Sequence, residues 1–165
     1  MGGKSWTKQG GADQYRRGLY VYLRRSTPYP SFLTFDAPNR EFCAAARART
    51  STPLQSLVLM NDPVFVEAAR AFAQRILKEG GPDNASRLRL AWRLALARPP
   101  SEKEIAILAK TLEAQLATYT QDPAAAAALV KIGDLPKPAN IADGELAAWT
   151  AMGNVLLNLN ETITN

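Results

Sequence analysis

The chain of 165 residues contains no histidine and a single cysteine, Cys43. The missing imidazole excludes Ser-His-Asp and Cys-His catalysis, histidine zinc sites and a His-ligated haem. One cysteine forms neither an internal disulfide nor a CxxC site, so the redox compartment stays open. Followed by Ala44-Ala45-Ala46, Cys43 reads as a small buried apolar side chain in preference to a reactive thiol. Long hydrophobic runs are also lacking. Leu57–Met60 and Ala124–Val130 fall well short of the ~20 residues that cross a bilayer, so no membrane span is expected. These residues hold no basic start followed by an apolar stretch, so no signal peptide is read in them. The glycine pairs at 2–3, 10–11 and 80–81 lack the strand–turn–helix context and the lysine of a phosphate loop. There is no EF-hand spacing and no carboxylate cluster, and neither a metal nor a cofactor is expected.

What is present is amphipathic helix punctuated by capping code. Apolar residues make up 47% of the chain, normal for a globular protein with a real core. Residues 1–14, rich in Gly, Lys and Gln, read as a flexible arm, and residues 15–165 as one helical domain. Tyr15–Arg25 fits helical and strand spacing about equally and is read as helix. Ser31–Phe35 reads as a helical turn burying Phe32, Leu33 and Phe35. Asp36 or Asn39 is then placed to cap a helix over Arg40–Arg47.

Thr52-Pro53-Leu54-Gln55 is a capping box with proline at the first helical position. The helix it opens, Pro53–Met60, is largely apolar and is expected to be central. Asp62-Pro63 starts the next helix, with Phe65, Ala69, Phe72 and Ile76 inward and Glu67, Arg70, Gln74 and Lys78 outward. Asp83 or Asn84 opens a helix with Leu88, Ala91, Trp92 and Ala95 on one side. Ser101–Glu104 is a second capping box, followed by the stripe Ile105, Leu108, Leu112, Leu116, Tyr119. Asp122-Pro123 starts an alanine-rich helix. A last helix from Asp143 turns Leu146, Trp149, Met152, Leu156 and Leu159 inward. Its polar flank of Thr150, Asn154, Asn158 and Glu161 is read as solvent-exposed. The fold expected is all-α, a bundle of about seven helices with an irregular basic N-terminal segment.

Charge is placed unevenly. Residues 1–49 carry nine Lys/Arg against three Asp/Glu, a net +6, whereas residues 50–165 carry eleven against twelve, a net −1. A basic third beside a neutral body suits an anionic partner or a piece of its own polypeptide. The nearest thing to a site is the candidate binding group Asp36, Arg47, Arg49, Thr50, Gln55 and Asn61. Read functionally, the arginines form an anion clamp oriented by Asp36. Read structurally, which we favour, the group pins a long loop to the helices. No catalytic residue is assigned. Arg16, Arg17, Arg24 and Arg25, interleaved with tyrosines, offer a second surface for an anionic polymer such as sulfated polysaccharide. Nucleic acid fits the same electrostatics.

Four runs carry a family resemblance: YRRGLYVYLRRSTPYPSFLTFDAPNREFC (Tyr15–Cys43), RTSTPLQSLVLMNDPVFVEAARAFAQRIL (Arg49–Leu77), RLAWRLALARPPSEKEI (Arg89–Ile105) and ELAAWTAMGNVLLNLNETIT (Glu145–Thr164). Together, over Trp6 to Thr164, the chain resembles the C-terminal domain of unknown function in large planctomycete-type exported proteins, which commonly carry a cytochrome-c-like domain near the N-terminus. The resemblance implies the C-terminal part of a bigger polypeptide and an extracytoplasmic setting, which makes nucleic acid the less favoured partner. It supplies no activity, and the haem chemistry does not transfer, because CxxCH is absent. The leading expectation is a non-catalytic interaction or scaffolding domain that packs on its own upstream region or on a partner protein. The alternatives are a binding module for anionic polymers, and half of an active site completed by the upstream region.

Overall fold

The computed structural model describes residues 11–23, 27–38, 41 and 43–164. Among them are eight α-helices and no strand, so the all-α reading holds: α1 Pro30–Thr34, α2 Pro53–Asn61, α3 Pro63–Glu79, α4 Asn84–Leu96, α5 Glu102–Gln121, α6 Pro123–Val130, α7 Asp143–Leu157 and α8 Asn160–Thr164. Two short 3-10 helices, Gly11–Tyr15 and Gly18–Tyr20, precede α1. The chain divides into two compact units, Met1–Thr50 and Ser51–Asn165.

In the first unit the helix expected over Tyr15–Arg25 is replaced by the 3-10 turn at Gly18–Tyr20. It is flanked by extended backbone at Arg17 (ψ 144°) and Val21 (ψ 131°), and Arg24 and Arg25 lie outside the described residues. No residue of that turn is buried, and a helix this short does not persist without a face to bury. The same reason corrects the helix expected over Arg40–Arg47. Residues 43–50 are irregular and exposed throughout, Cys43 included, which overturns its reading as a buried side chain. Asn39 and Arg40 lie outside the described residues. In α1, Phe32 and Phe35 are half-buried as expected, but Leu33 is 60% exposed.

The second unit is built around α7, which packs against α3, α5 and α6, with α4 beside it. Eight of its 15 residues are buried: Leu146, Ala147, Ala148, Trp149, Thr150, Met152, Gly153 and Leu156. A helix apolar on nearly every side has its place inside. Each fully buried Leu, Ile or Met contributes roughly 1.5–3 kcal/mol of burial. Gly153 lets α3 approach closely, because a Cβ there would sit 2.9 Å from the Ala69 carbonyl oxygen. The inward faces of α4 and α5 match expectation, with Leu88, Ala91, Trp92, Leu108 and Leu112 buried.

The caps also form as read. Thr52 and Gln55, and Ser101 and Glu104, close reciprocal capping boxes. Asp62, Asp83 and Asp122 accept from Val64, Ser86 and Ala125 backbone N–H groups at 2.9, 2.8 and 2.9 Å.

Three expectations for this unit are corrected. α2 is not central: Gln55 is its one buried residue, while Leu54, Leu57 and Met60 are at least half exposed. The buried sector of α3 is wider than its apolar stripe and takes in Val66, Ala73, Glu67 and Arg70. The polar flank of α7 is not turned to solvent. Thr150 is buried and donates to the Leu146 carbonyl at 2.7 Å, and Asn158 Nδ2 donates to the Ser56 carbonyl at 3.3 Å.

Candidate functional site

The proposed polar cluster begins at the end of α1. Phe35 N–H bonds back to Ser31 and Ala37 N–H to Phe32, at 3.0 and 2.8 Å. The chain then turns through Asp36 in the left-handed region (φ 56°). Aspartate tolerates that conformation better than most residues, because its short side chain bonds locally.

The Asp36 carboxylate reaches across the loop to its far end. Its Oδ2 accepts from Thr50 N at 2.9 Å and from Thr50 Oγ1 at 2.6 Å. Arg47 is held by the same corner through backbone oxygens: its Nε donates to the Asp36 carbonyl at 3.1 Å, and a terminal nitrogen donates to the Phe35 carbonyl. The fork of Arg47 is thus seated on carbonyl dipoles and not on the carboxylate. Arg49 is exposed two residues further on.

Asp36, Arg47 and Thr50 are therefore brought together within the first unit. Gln55 and Asn61 belong to the second. Gln55 accepts from Thr52 N at 2.9 Å through Oε1, and Asn61 Nδ2 donates to the Leu57 carbonyl at 2.8 Å, within its own helix. Arg16 pairs with Asp13 at 2.8 Å on an exposed surface. Arg17 is exposed.

Two polar constellations in the helical unit escaped the reading of the sequence. The first is a buried clamp. Arg70, 2% exposed, donates from its two terminal nitrogens to the carbonyls of Val130 and Leu135 at 2.8 and 2.7 Å. Glu67, 3.7 Å from that guanidinium, accepts from the Leu135 backbone N–H. Together they tie the loop after α6 to α3. Gly133 (φ 90°) passes so close that a Cβ there would overlap the Glu67 carboxyl group. The i, i+3 spacing of the pair is visible in the sequence, but its burial follows from a loop 60 residues away.

The second is centred on Arg98. It bonds Glu104 at 2.8 and 3.2 Å and Glu161 at 2.8 Å through two nitrogens, with its guanidinium 4.9 Å from the Trp92 ring centre. The Arg98 guanidinium and the Ser101 N–H hold the Glu104 carboxyl down to about 2. Arg98 likewise lowers Glu161, and the two carboxylates raise the guanidinium in turn. Neither constellation gathers a nucleophile with a base. Among the described residues no group of three or more His, Cys, Asp or Glu side chains is placed to hold a metal ion, and no helix is long and apolar enough to cross a membrane.

The fold is an all-α helical bundle in which Arg70 and Glu67 tie the loop after α6 to α3. The sequence profile of a protein family described as PSD1, protein of unknown function (DUF1553), matches residues 2–112, and the chain belongs to that family. The match ends within α5, so α6, α7 and α8 lie beyond it. No curated protein and no solved structure matches the chain.

Proposed function

We propose that this chain is a non-catalytic helical interaction or scaffolding domain of a larger exported, cytochrome-c-associated polypeptide, packing on its own upstream region or on a partner protein in an extracytoplasmic setting. The observation that carries this reading is the outer face of α2. Leu54, Leu57 and Met60 recur every three residues and are 57%, 56% and 50% exposed, an apolar strip of the kind that marks contact surfaces. The arrangement around Asp36 supports it further, since Asp36, Arg47 and Thr50 use their hydrogen-bonding groups on one another and on the backbone.

The test is co-migration of this chain with the upstream region of the same polypeptide, produced separately. The variant Leu54→Gln/Leu57→Gln/Met60→Gln should lose co-migration while its thermal unfolding stays unchanged. Turnover on a panel of esters, glycosides and sulfate esters that disappears in Arg49→Ala would overturn the non-catalytic reading.

A further inference from the structure

The last helix, α8, is five residues long, and none of them is buried. The buried core of the helical unit contains no residue of it, so the core does not need α8 in order to stay packed. A helix of that length has no stability of its own and stays formed only where something holds it. One set of holds is local. Thr162 Oγ1 donates to the Leu156 carbonyl at 2.8 Å, and the Thr162 and Ile163 N–H groups donate to the Leu159 carbonyl at 2.9 and 3.1 Å. These bonds run back only to the end of α7, across Asn158 and Leu159, the two non-helical residues between the helices.

The hold that reaches across the bundle is Glu161 on Arg98. The Glu161 oxygens accept from Arg98 Nε and a terminal nitrogen at 2.8 Å each, and among the described residues Glu161 hydrogen-bonds no other side chain. Glu104, on the other side of the guanidinium, is held twice over, because Ser101 N–H and Oγ also donate to it at 2.6 and 2.8 Å. It stands, besides, in the first turn of the 20-residue α5. The grip is therefore unequal: when the guanidinium lets go, α5 stays and α8 is free to leave. Of the helices packed on α8, α7 carries only Asp143 and Glu145, in its first turn, and α4 carries Arg87, Arg89 and Arg93. Arg87 is paired with Glu145, Arg89 lies 4.0 Å from Glu102, and Arg93 is exposed. Arg98 and Glu104 are the charges that act on Glu161. An ion pair whose side chains are 39% and 42% exposed adds little against solvent, so the closed and open forms lie close in free energy.

We infer that α8 is a latch: Asn160–Thr164 closes on the α4–α5 corner through Glu161 and Arg98, and swings away about Asn158 and Leu159 when that pair is broken, leaving the core packed. Opening takes one carboxylate off the guanidinium that covers Trp92, whose buried indole N–H has no hydrogen-bond partner, and gives water a way to it. The latch goes beyond the scaffold reading and does not depend on it, because it uses no residue of α2.

Backbone NMR relaxation of the whole chain tests it, with the amides of Trp149 and Met152 in α7 reporting on the core. Near neutral pH, α8 of the wild type should be as ordered as α7. Glu161→Ala and Arg98→Met should each lower the heteronuclear NOE of residues 161–164 and leave α7 unchanged, whereas Glu104→Gln should leave α8 closed. Solvent exchange of the Trp92 indole N–H should speed up about fivefold in Glu161→Ala. Acidification of the wild type below the ordinary glutamate value of 4.5 should reproduce the Glu161→Ala pattern. A rigid α8 in Glu161→Ala overturns the latch, and so does release of α8 in Glu104→Gln. Loss of order that spreads to Trp149 and Met152 overturns it as well, because α8 is then part of the cooperative core.

Discussion

Arg98 stands with its guanidinium carbon 4.9 Å from the ring centre of Trp92 and reaches carboxylates on both sides, Glu104 of α5 and Glu161 of α8. One side chain in the α4–α5 connection thereby fastens the last helix of the chain. Both carboxyls lie below their ordinary range in the folded state, Glu104 at about 2 against 4.5. A depressed carboxyl stabilises the fold above its unfolded value and loses that contribution as it is protonated. The melting temperature should therefore fall as pH drops from about 4.5 toward about 2. In Arg98→Met this acid slope should flatten, leaving the part due to Glu104, still held down by Ser101, and to Asp83, lowered by Ser86. Calorimetry across that range checks it. An unchanged slope in the variant would show that the contacts are not made in solution.

The buried clamp should behave differently, because Arg70 and Glu67 are shielded from solvent. Removing one partner leaves the other charge buried and uncompensated, at a cost of about 3–5 kcal/mol. Arg70→Met alone should show that loss in urea unfolding. Arg70→Met/Glu67→Gln should be less destabilised than the two single variants added together, since the stranded charge is gone. Strict additivity would contradict a direct pairing.

Two glycines of α7 make a matched comparison. At Gly153 a methyl group would press on the Ala69 carbonyl oxygen at 2.9 Å, and backbone does not yield. At Gly144 the nearest atom is 3.5 Å away, an ordinary contact. Gly153→Ala should cost about 1–3 kcal/mol through forced separation of α3 and α7. Gly144→Ala should be neutral or gain up to ~1 kcal/mol from helix propensity. Denaturant midpoints decide between the two signs.

The Asp36 corner predicts a protease phenotype. Asp36→Ala and Asp36→Gly both delete the bonds to Thr50, but glycine alone adopts the positive φ freely. Both variants should be cut faster by trypsin at Arg47 and Arg49, with alanine the faster of the two because backbone strain adds to the lost bonds. Equal rates in wild type and both variants would mean that the carboxylate does not hold the loop.

What could be read in advance from the sequence was local. Thr52, Asp62, Asp83, Ser101 and Asp122 announce their helices because a cap and its N–H partners lie within three residues of each other. The stripes of α4 and α5 are legible because each has one dominant inward face, and α7 is legible because it is apolar on nearly every side. Glu67 and Arg70 were misplaced because their burial depends on carbonyls at Val130 and Leu135, a relationship that no periodicity encodes. α2 was placed at the centre on its apolar content alone, and content does not say which side of a helix finds a neighbour. Cys43 and the alanines after it suit a helix, yet residues 43–50 bury nothing. Of the site candidates, Asp36 bonds Thr50 fourteen residues on, and Arg47 is held by backbone oxygens, distances along the chain that no local pattern spells out.

The helix around which the bundle is organised, α7, occupies residues 143–157, near the end of the chain. A ribosome therefore releases α3, α4, α5 and α6 before the strip they all cover exists. Until Leu146, Trp149 and Met152 leave the exit tunnel, those helices have only one another to hide against, and such intermediates are prone to stick to other chains. A premature stop codon between α6 and residue 143 should yield not a smaller folded protein but an insoluble one.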